Sequence, residues 1–206
     1  MKDIYLYDGS EVLINKLNIR DSKMLADAEA DFVSMRLREL VEHPLKGHYD
    51  ELHFFQMHQY IFQDIYDWAG CPRKLNIEKS EDVLGGMSVE YSDVLDIVKD
   101  TRYCLAKASR IEWNKMPQAE IVEKFTDVLA YLWKIHAFRE GNTRTTITFM
   151  CQYADAKIGN IDRRLFEENS AYVRTALVAY NAYFKDGSNF QKKNYLEDIV
   201  YDALFG

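Results

Sequence analysis

The stretch His136-Ala137-Phe138-Arg139-Glu140-Gly141-Asn142-Thr143-Arg144 places an imidazole, a carboxylate, a glycine, an amide and guanidinium groups within nine residues. It joins two segments of helical period. Upstream, Ile121, Phe125, Val128, Leu129, Leu132 and Trp133 recur at three and four residues, after Met116-Pro117. That spacing marks one face of a helix, and proline suits a helix start. Downstream, Ile147, Met150, Cys151 and Ala154 restart a helix that runs to Gly159-Asn160. A helix beginning near Asn142 or Thr143 turns its free N–H groups and the positive end of its dipole into the loop, which suits phosphate. Gly141 lets backbone approach an anion, Asn142 offers an amide donor, and Arg144 offers a charged fork. Glu140 is a hard oxygen ligand for Mg2+, and His136 suits proton removal from a hydroxyl near neutral pH. The combination points to phosphoryl or nucleotidyl transfer.

Working outward, the same periodicity predicts helices over about 21–40, 49–68, 94–105, 163–185 and 190–205. Residues 73–88, RKLNIEKSEDVLGGMS, break it with polar and Gly-Gly content and read as a small hairpin or flap. His43, His48, His53 and His58 recur every five residues. On a helix that step turns successive side chains by about 140°, so they do not share a face as metal ligands would. Scaffold roles follow. Gly85-Gly86 lacks the Lys-Ser/Thr of a P-loop and reads as a hairpin tip.

The 206 residues, 48% hydrophobic with only 3 Pro and 9 Gly, suffice for a core and argue against disorder. The expectation is one all-α domain over 1–206. A net charge of −7 argues against nucleic acid as a partner. Cys71, Cys104 and Cys151 form no C-x-x-C pair and read as thiols of a reducing compartment. The N-terminus, Met1-Lys2-Asp3-Ile4-Tyr5, carries no signal-peptide stretch, and no window suits a membrane span. We therefore expect a cytoplasmic protein, or one delivered into a host cell without a cleaved signal peptide.

HAFREGNTR resembles the Fic motif, H-x-F-x-(D/E)-G-N-x-R-x-x-R, with Gly frequent between Asn and the first Arg. The resemblance extends upstream through Tyr49, His53, His58, Ile61-Phe62, Ile65-Tyr66, Trp68-Ala69-Gly70 and Arg73, and downstream through Tyr172, Ala176-Leu177 and Ala179-Tyr180. It implies a Fic-type helical domain with a small β-hairpin flap, whose members mostly transfer AMP from ATP to a hydroxyl of a target protein. On that resemblance, His136 is the general base and Glu140 holds Mg2+. Gly141, Asn142, Thr143 and Arg144 cradle the nucleotide, and Phe138 is a buried anchor. Residues 73–88 form a flap that pins an extended stretch of the protein substrate, with Lys79 reaching the nucleotide. Tyr172 and Tyr180 stand where adenine-side contacts are found.

Three positions depart from the pattern. Ala137 replaces a frequent Pro, Thr143 replaces Gly, and the second Arg falls on Ile147. The family's inhibitory pattern, (S/T)-x-x-x-E-(G/N), is absent, since no Ser or Thr has Glu four residues on. The resemblance then implies restraint by an antitoxin-like partner in trans, or restraint relaxed by loss of the Arg. A Doc-like phosphotransferase, which also lacks the second Arg, is the alternative enzyme. It typically has Lys where Thr143 stands and lacks Gly141. A catalytically decayed interaction module is the alternative outside enzymes, opposed by His136, Glu140, Asn142 and Arg144.

Overall fold

The computed structural model describes residues 3–206. Met1 and Lys2, part of the N-terminal stretch read above for a leader, lie outside the described residues. Eight helices are present among the described residues: α1 (Ser22–Glu42), α2 (Glu51–Phe62), α3 (Ile97–Ala108), α4 (Gln118–Ile135), α5 (Asn142–Lys157), α6 (Arg163–Glu168), α7 (Ser170–Tyr180) and α8 (Asn194–Phe205). Asp21 and Asp50 cap α1 and α2, their carboxylates accepting the N–H of Met24 (2.8 Å) and His53 (2.9 Å). Such caps satisfy first-turn donors that the helix cannot pair itself.

α4 is the axis of the fold. Its buried residues Ile121, Val122, Phe125, Val128, Leu129, Leu132, Trp133 and Ile135 occupy most of its circumference. It packs against α3, α5, α7 and α8, while α2 packs against α1, α3 and α5. A helix with so broad an apolar arc is stable only when enclosed, each large side chain contributing about 1.5–3 kcal/mol on burial. Buried side chains from α1 to α8 form one connected core. No helix among the described residues is long and apolar enough to cross a membrane.

Two helix boundaries differ from the periodicity. α2 ends at Phe62 although Ile65 and Trp68 continue the apolar spacing. The chain turns there because Asp64 is drawn to Arg36 by two bonds of 2.7 and 2.9 Å, and Tyr66 donates its hydroxyl to Glu29. The stretch 163–185 divides into α6 and α7 at Asn169, whose side-chain amide donates to the Leu165 carbonyl at 2.8 Å and competes with helical pairing. The flap 73–88 turns back through a 3-10 turn at Asp82–Leu84, with Glu81 N–H donating to the Met87 carbonyl at 3.1 Å. It carries no strand ladder: the Lys79 N–H is taken by the Ser88 hydroxyl at 3.0 Å, and the isolated β-bridges of the described residues, Leu6 with Leu13 and Tyr183 with Asn189, lie elsewhere. The flap is a hairpin in path and not in pairing.

Candidate active site

α4 stops at Ile135 because His136 adopts the left-handed conformation (φ 51°, ψ 55°), its N–H donating to the Trp133 carbonyl at 3.0 Å. That conformation costs a non-glycine residue about 1–2 kcal/mol, so the surroundings must hold it. Arg73 does so. It is buried, its Nε donates to the His136 carbonyl at 2.9 Å, and its backbone N–H donates to the Ala137 carbonyl at 2.8 Å. The same guanidinium bonds the carbonyls of Leu75 and Ser92, tying the loop to both ends of the flap.

His58 holds the loop from α2. Its Nδ1 accepts the Gly70 N–H at 2.8 Å, so Nε2 carries the proton and donates to the Glu140 carbonyl at 3.0 Å. Its ring stacks on Phe138 with centroids 3.7 Å apart. Burial pushes its pKa down to about 3, which fixes the neutral tautomer. Asn142 closes the loop internally, its oxygen accepting the Phe138 N–H at 2.9 Å and its amide donating to the Phe138 carbonyl at 2.8 Å. The side chain expected to reach phosphate is therefore committed to the loop. Gly141 sits at φ 81°, and a Cβ there would overlap the Phe62 ring. Glycine is required for both reasons.

α5 begins at Asn142 with no side-chain cap. The first-turn N–H groups of Asn142, Thr143 and Arg144 thus face the loop unpaired within the helix. The Thr143 hydroxyl accepts the Trp133 indole N–H at 2.9 Å and keeps its own proton to donate. Glu140 lies beside this terminus, with Oε1 accepting the Gly141 N–H at 2.9 Å and Oε2 3.6 Å from Lys79 Nζ. Burial raises the Glu140 pKa, but Lys79, the Gly141 N–H, Arg144 and Arg139 outweigh it and hold the carboxyl below its ordinary value. It is ionised. Arg144 NH2 is 3.7 Å from Glu140 and 2.6 Å from Glu29 of α1.

The imidazole of His136 is buried, stacked on Tyr91 at 4.0 Å and edge-on to Trp133 at 5.4 Å. Neither ring nitrogen has a hydrogen-bond partner among the described residues. Burial, followed by Lys79, Arg73 and Arg174, holds its pKa well below the ordinary value, so it is neutral and able to accept a proton. An unpartnered polar atom in the interior is costly, and each such site asks for a ligand or a function.

The structure thus gathers His136, Glu140, Gly141, Asn142, Thr143, Arg144 and Lys79. It does not gather the two tyrosines. Tyr172 is exposed and donates its hydroxyl to the Tyr195 carbonyl at 2.9 Å. Tyr180 stands at the far end of α7, about 12–15 Å along the axis, and donates to Asp127 of α4 at 2.6 Å. It lines a separate cavity with Lys107, Lys124 and Lys193. Beside the motif lies a cavity of about 550 Å3, lined by Thr143, Arg144 and Ile147 of α5, Leu37 and Arg38 of α1, and Ser170 and Val173 of α7. Sequence reasoning missed Glu29, whose pairing with Arg144 spans 115 residues of sequence, and Tyr91, whose ring covers the imidazole. It quoted His58 and Arg73 without their role in shaping the loop.

Comparison with known proteins bears on the fold and the family. The chain is 28% identical over 202 residues to the probable protein adenylyltransferase y4lH of Sinorhizobium fredii, covering 97% of this chain and 88% of that one. It is 28% identical over 152 residues to the protein adenylyltransferase VbhT of Bartonella schoenbuchensis, covering 74% of this chain and 30% of that one. The structure of BepC, a VirB-translocated effector protein from Bartonella tribocorum with bound AMPPNP, superposes with a TM-score of 0.78 at 21% identity, over 97% of this chain and 95% of that one. The Fic/DOC family profile matches residues 48–154, which take in α2, α3, α4, the motif loop and most of α5, and on that match the chain belongs to the Fic/DOC family.

Proposed function

We propose that this protein is a Mg2+-dependent protein adenylyltransferase, transferring AMP from ATP to a Ser, Thr or Tyr hydroxyl of a target protein. The observation that carries the reading is the neutral, buried, unpartnered imidazole of His136 beside the uncapped N-terminus of α5. His136 accepts the proton of the target hydroxyl as its oxygen attacks the α-phosphate, and pyrophosphate departs. The free N–H groups of Asn142, Thr143 and Arg144 receive the phosphate oxygens, with the Thr143 hydroxyl as a further donor. Asn142 and His58 serve by fixing the loop.

Glu140 is one ionised carboxylate, and the described residues hold no cluster of three or more His, Cys, Asp or Glu suited to a metal. A single carboxylate fits an ion whose other ligands are phosphate oxygens and water, so Glu140 would hold Mg2+ only together with nucleotide. When bound, the ion supplies charge neutralisation on the phosphates. Lys79, 3.6 Å from Glu140, then becomes free for a phosphate oxygen.

The main-chain groups of Asn76, Ile77 and Glu78 make no hydrogen bond to another described residue. They offer an extended target segment a strand-like edge. Bound there, a target places its hydroxyl toward His136. Relatives bearing the name protein adenylyltransferase support AMP as the transferred group.

The test uses purified protein, Mg2+ and lysate or candidate targets, with ATP labelled separately at the α- and γ-phosphates. Label from the α position should appear on protein and fall by about 100-fold or more in His136→Ala. Transfer of γ label would instead establish a Doc-like phosphotransferase, and absence of transfer with every nucleotide would establish an interaction module.

A further inference from the structure

Glu81 in the flap and Arg174 in α7 form a two-pronged pair, NH1 to Oε2 at 2.7 Å and NH2 to Oε1 at 2.8 Å. The Glu81 side chain is only 4% exposed, whereas that of Arg174 is 44% exposed. Arg174 follows Val173 and stands one helical turn from Ser170, and both of those residues line the cavity beside the motif. Arg174 therefore stands on α7 next to that cavity, with its guanidinium turned to the flap. The far partner of the pair is tied to the flap tip through the Glu81 N–H and the Met87 carbonyl. Tyr91, whose hydroxyl lies within the influence of Glu81, is face to face with His136. With the pair closed, His136 is only 3% exposed.

We propose that Arg174 is a nucleotide-binding residue that leaves Glu81 for the outer phosphates of a nucleoside triphosphate, and that this exchange opens the flap over His136. The inference rests on the functional reading above. A guanidinium fork that fits a carboxylate fits a phosphate equally, and a triphosphate presents more negative charge than one carboxylate. Of the cavity's own guanidinium groups, Arg144 is bonded to Glu29 and Arg163 to Asp155, so only Arg38 adds to Arg174 there, and Ile147 gives the wall an apolar side chain. Arg174 already acts electrostatically on both His136 and Glu140, which places it within the field of the same site. Once Arg174 departs, Glu81 is an uncompensated buried charge. It relaxes by moving into water, and the 81–87 turn moves with it. Substrate binding and exposure of the base are thereby one event.

The test is calorimetric titration of ATP and of AMP, each with Mg2+, into wild-type protein, Arg174→Ala, Arg174→Lys and Glu81→Gln, with thermal melts to establish folding. Arg174→Ala should weaken ATP about 10- to 100-fold and AMP less than about 2-fold, since AMP lacks the outer phosphates. Arg174→Lys should recover part of the loss. Glu81→Gln should tighten ATP by removing the competitor. An ATP affinity in Arg174→Ala within about 2-fold of wild type would overturn the proposal, as would equal weakening by Arg174→Ala and Glu81→Gln, the mark of a purely structural cross-link. Where Arg174→Ala does not fold, the opposite signs expected of Arg174→Lys and Glu81→Gln decide the matter. Wild-type protein that binds neither nucleotide would remove the functional reading and this inference together. Wild-type binding with unresponsive variants would remove the inference alone.

Discussion

The motif loop 136–144 and the flap 73–88 face each other across the same site and are held by opposite means. The loop is fixed by mostly buried bonds to backbone groups, from the Arg73 guanidinium and from the neutral side chains of His58 and Asn142, and by Gly141 seated against Phe62. Most of these bonds lie out of water's reach, so salt screens them little and their loss leaves orphaned groups inside. Beyond its base at Arg73, the flap is fixed to the site by two side-chain ion pairs, Lys79 with Glu140 and Glu81 with Arg174, each with a partly exposed partner. Charge pairs of that kind can be exchanged for a charged ligand. One wall of the site is preorganised and the other is replaceable.

The strongest way to break that contrast is Gly141→Ala. The new Cβ overlaps the Phe62 ring and must sit at φ 81°. A cost of about 3 kcal/mol or more is expected from overpacking plus backbone strain, read by urea unfolding. A small change would show that the loop is pliant. Next is acid. The folded pKa of His58 lies near 3, below its unfolded value of about 6.5. The unfolded chain then binds more protons between those values, so stability is complete above about pH 6.5 and is lost as pH falls. His58 alone should remove about 2 kcal/mol by pH 5, and His136 acts in the same direction. A melting temperature flat from pH 7 to pH 5 would refute the neutral clamp. The smallest effect sharpens the comparison without mutation. Raising ionic strength to about 1 M should speed amide hydrogen exchange in residues 79–87 several-fold and leave Phe138 and Arg73 unchanged. Equal acceleration in both regions would erase the distinction.

What could be read in the sequence follows a physical rule. α4 is legible because its broad apolar arc recurs at three and four residues, with Glu120, Glu123, Asp127 and Lys134 left on the other side. The C-terminal limit of α2 is not, because Ile65 is buried and Trp68 partly buried by a turn that Arg36 and Asp64 set across 28 residues. The break at Asn169 hides in one side-chain bond inside a helical pattern. In the site, the motif loop brings His136 and Glu140 to one place, and Lys79 of the flap lies 3.6 Å from Glu140. Asn142 shows that a residue can belong to a motif through the backbone it shapes. Tyr172 and Tyr180 illustrate the converse, since α7 carries both and the structure turns them to Tyr195 and Asp127. Arg174 carried no local signal, because its partner lies 93 residues away.

The Glu140 bond to Gly141 means that, without substrate, the anion-binding end of α5 is partly filled by the protein's own carboxylate. In calorimetric terms, nucleotide binding is then a trade of charge-assisted bonds and not a simple gain. The heat released is the difference between two similar sets, and discrimination among phosphates depends on how many internal pairs one ligand can replace at once. In the exchange proposed above, a triphosphate with its cation would replace both ion pairs of the flap, which a lone phosphate cannot span.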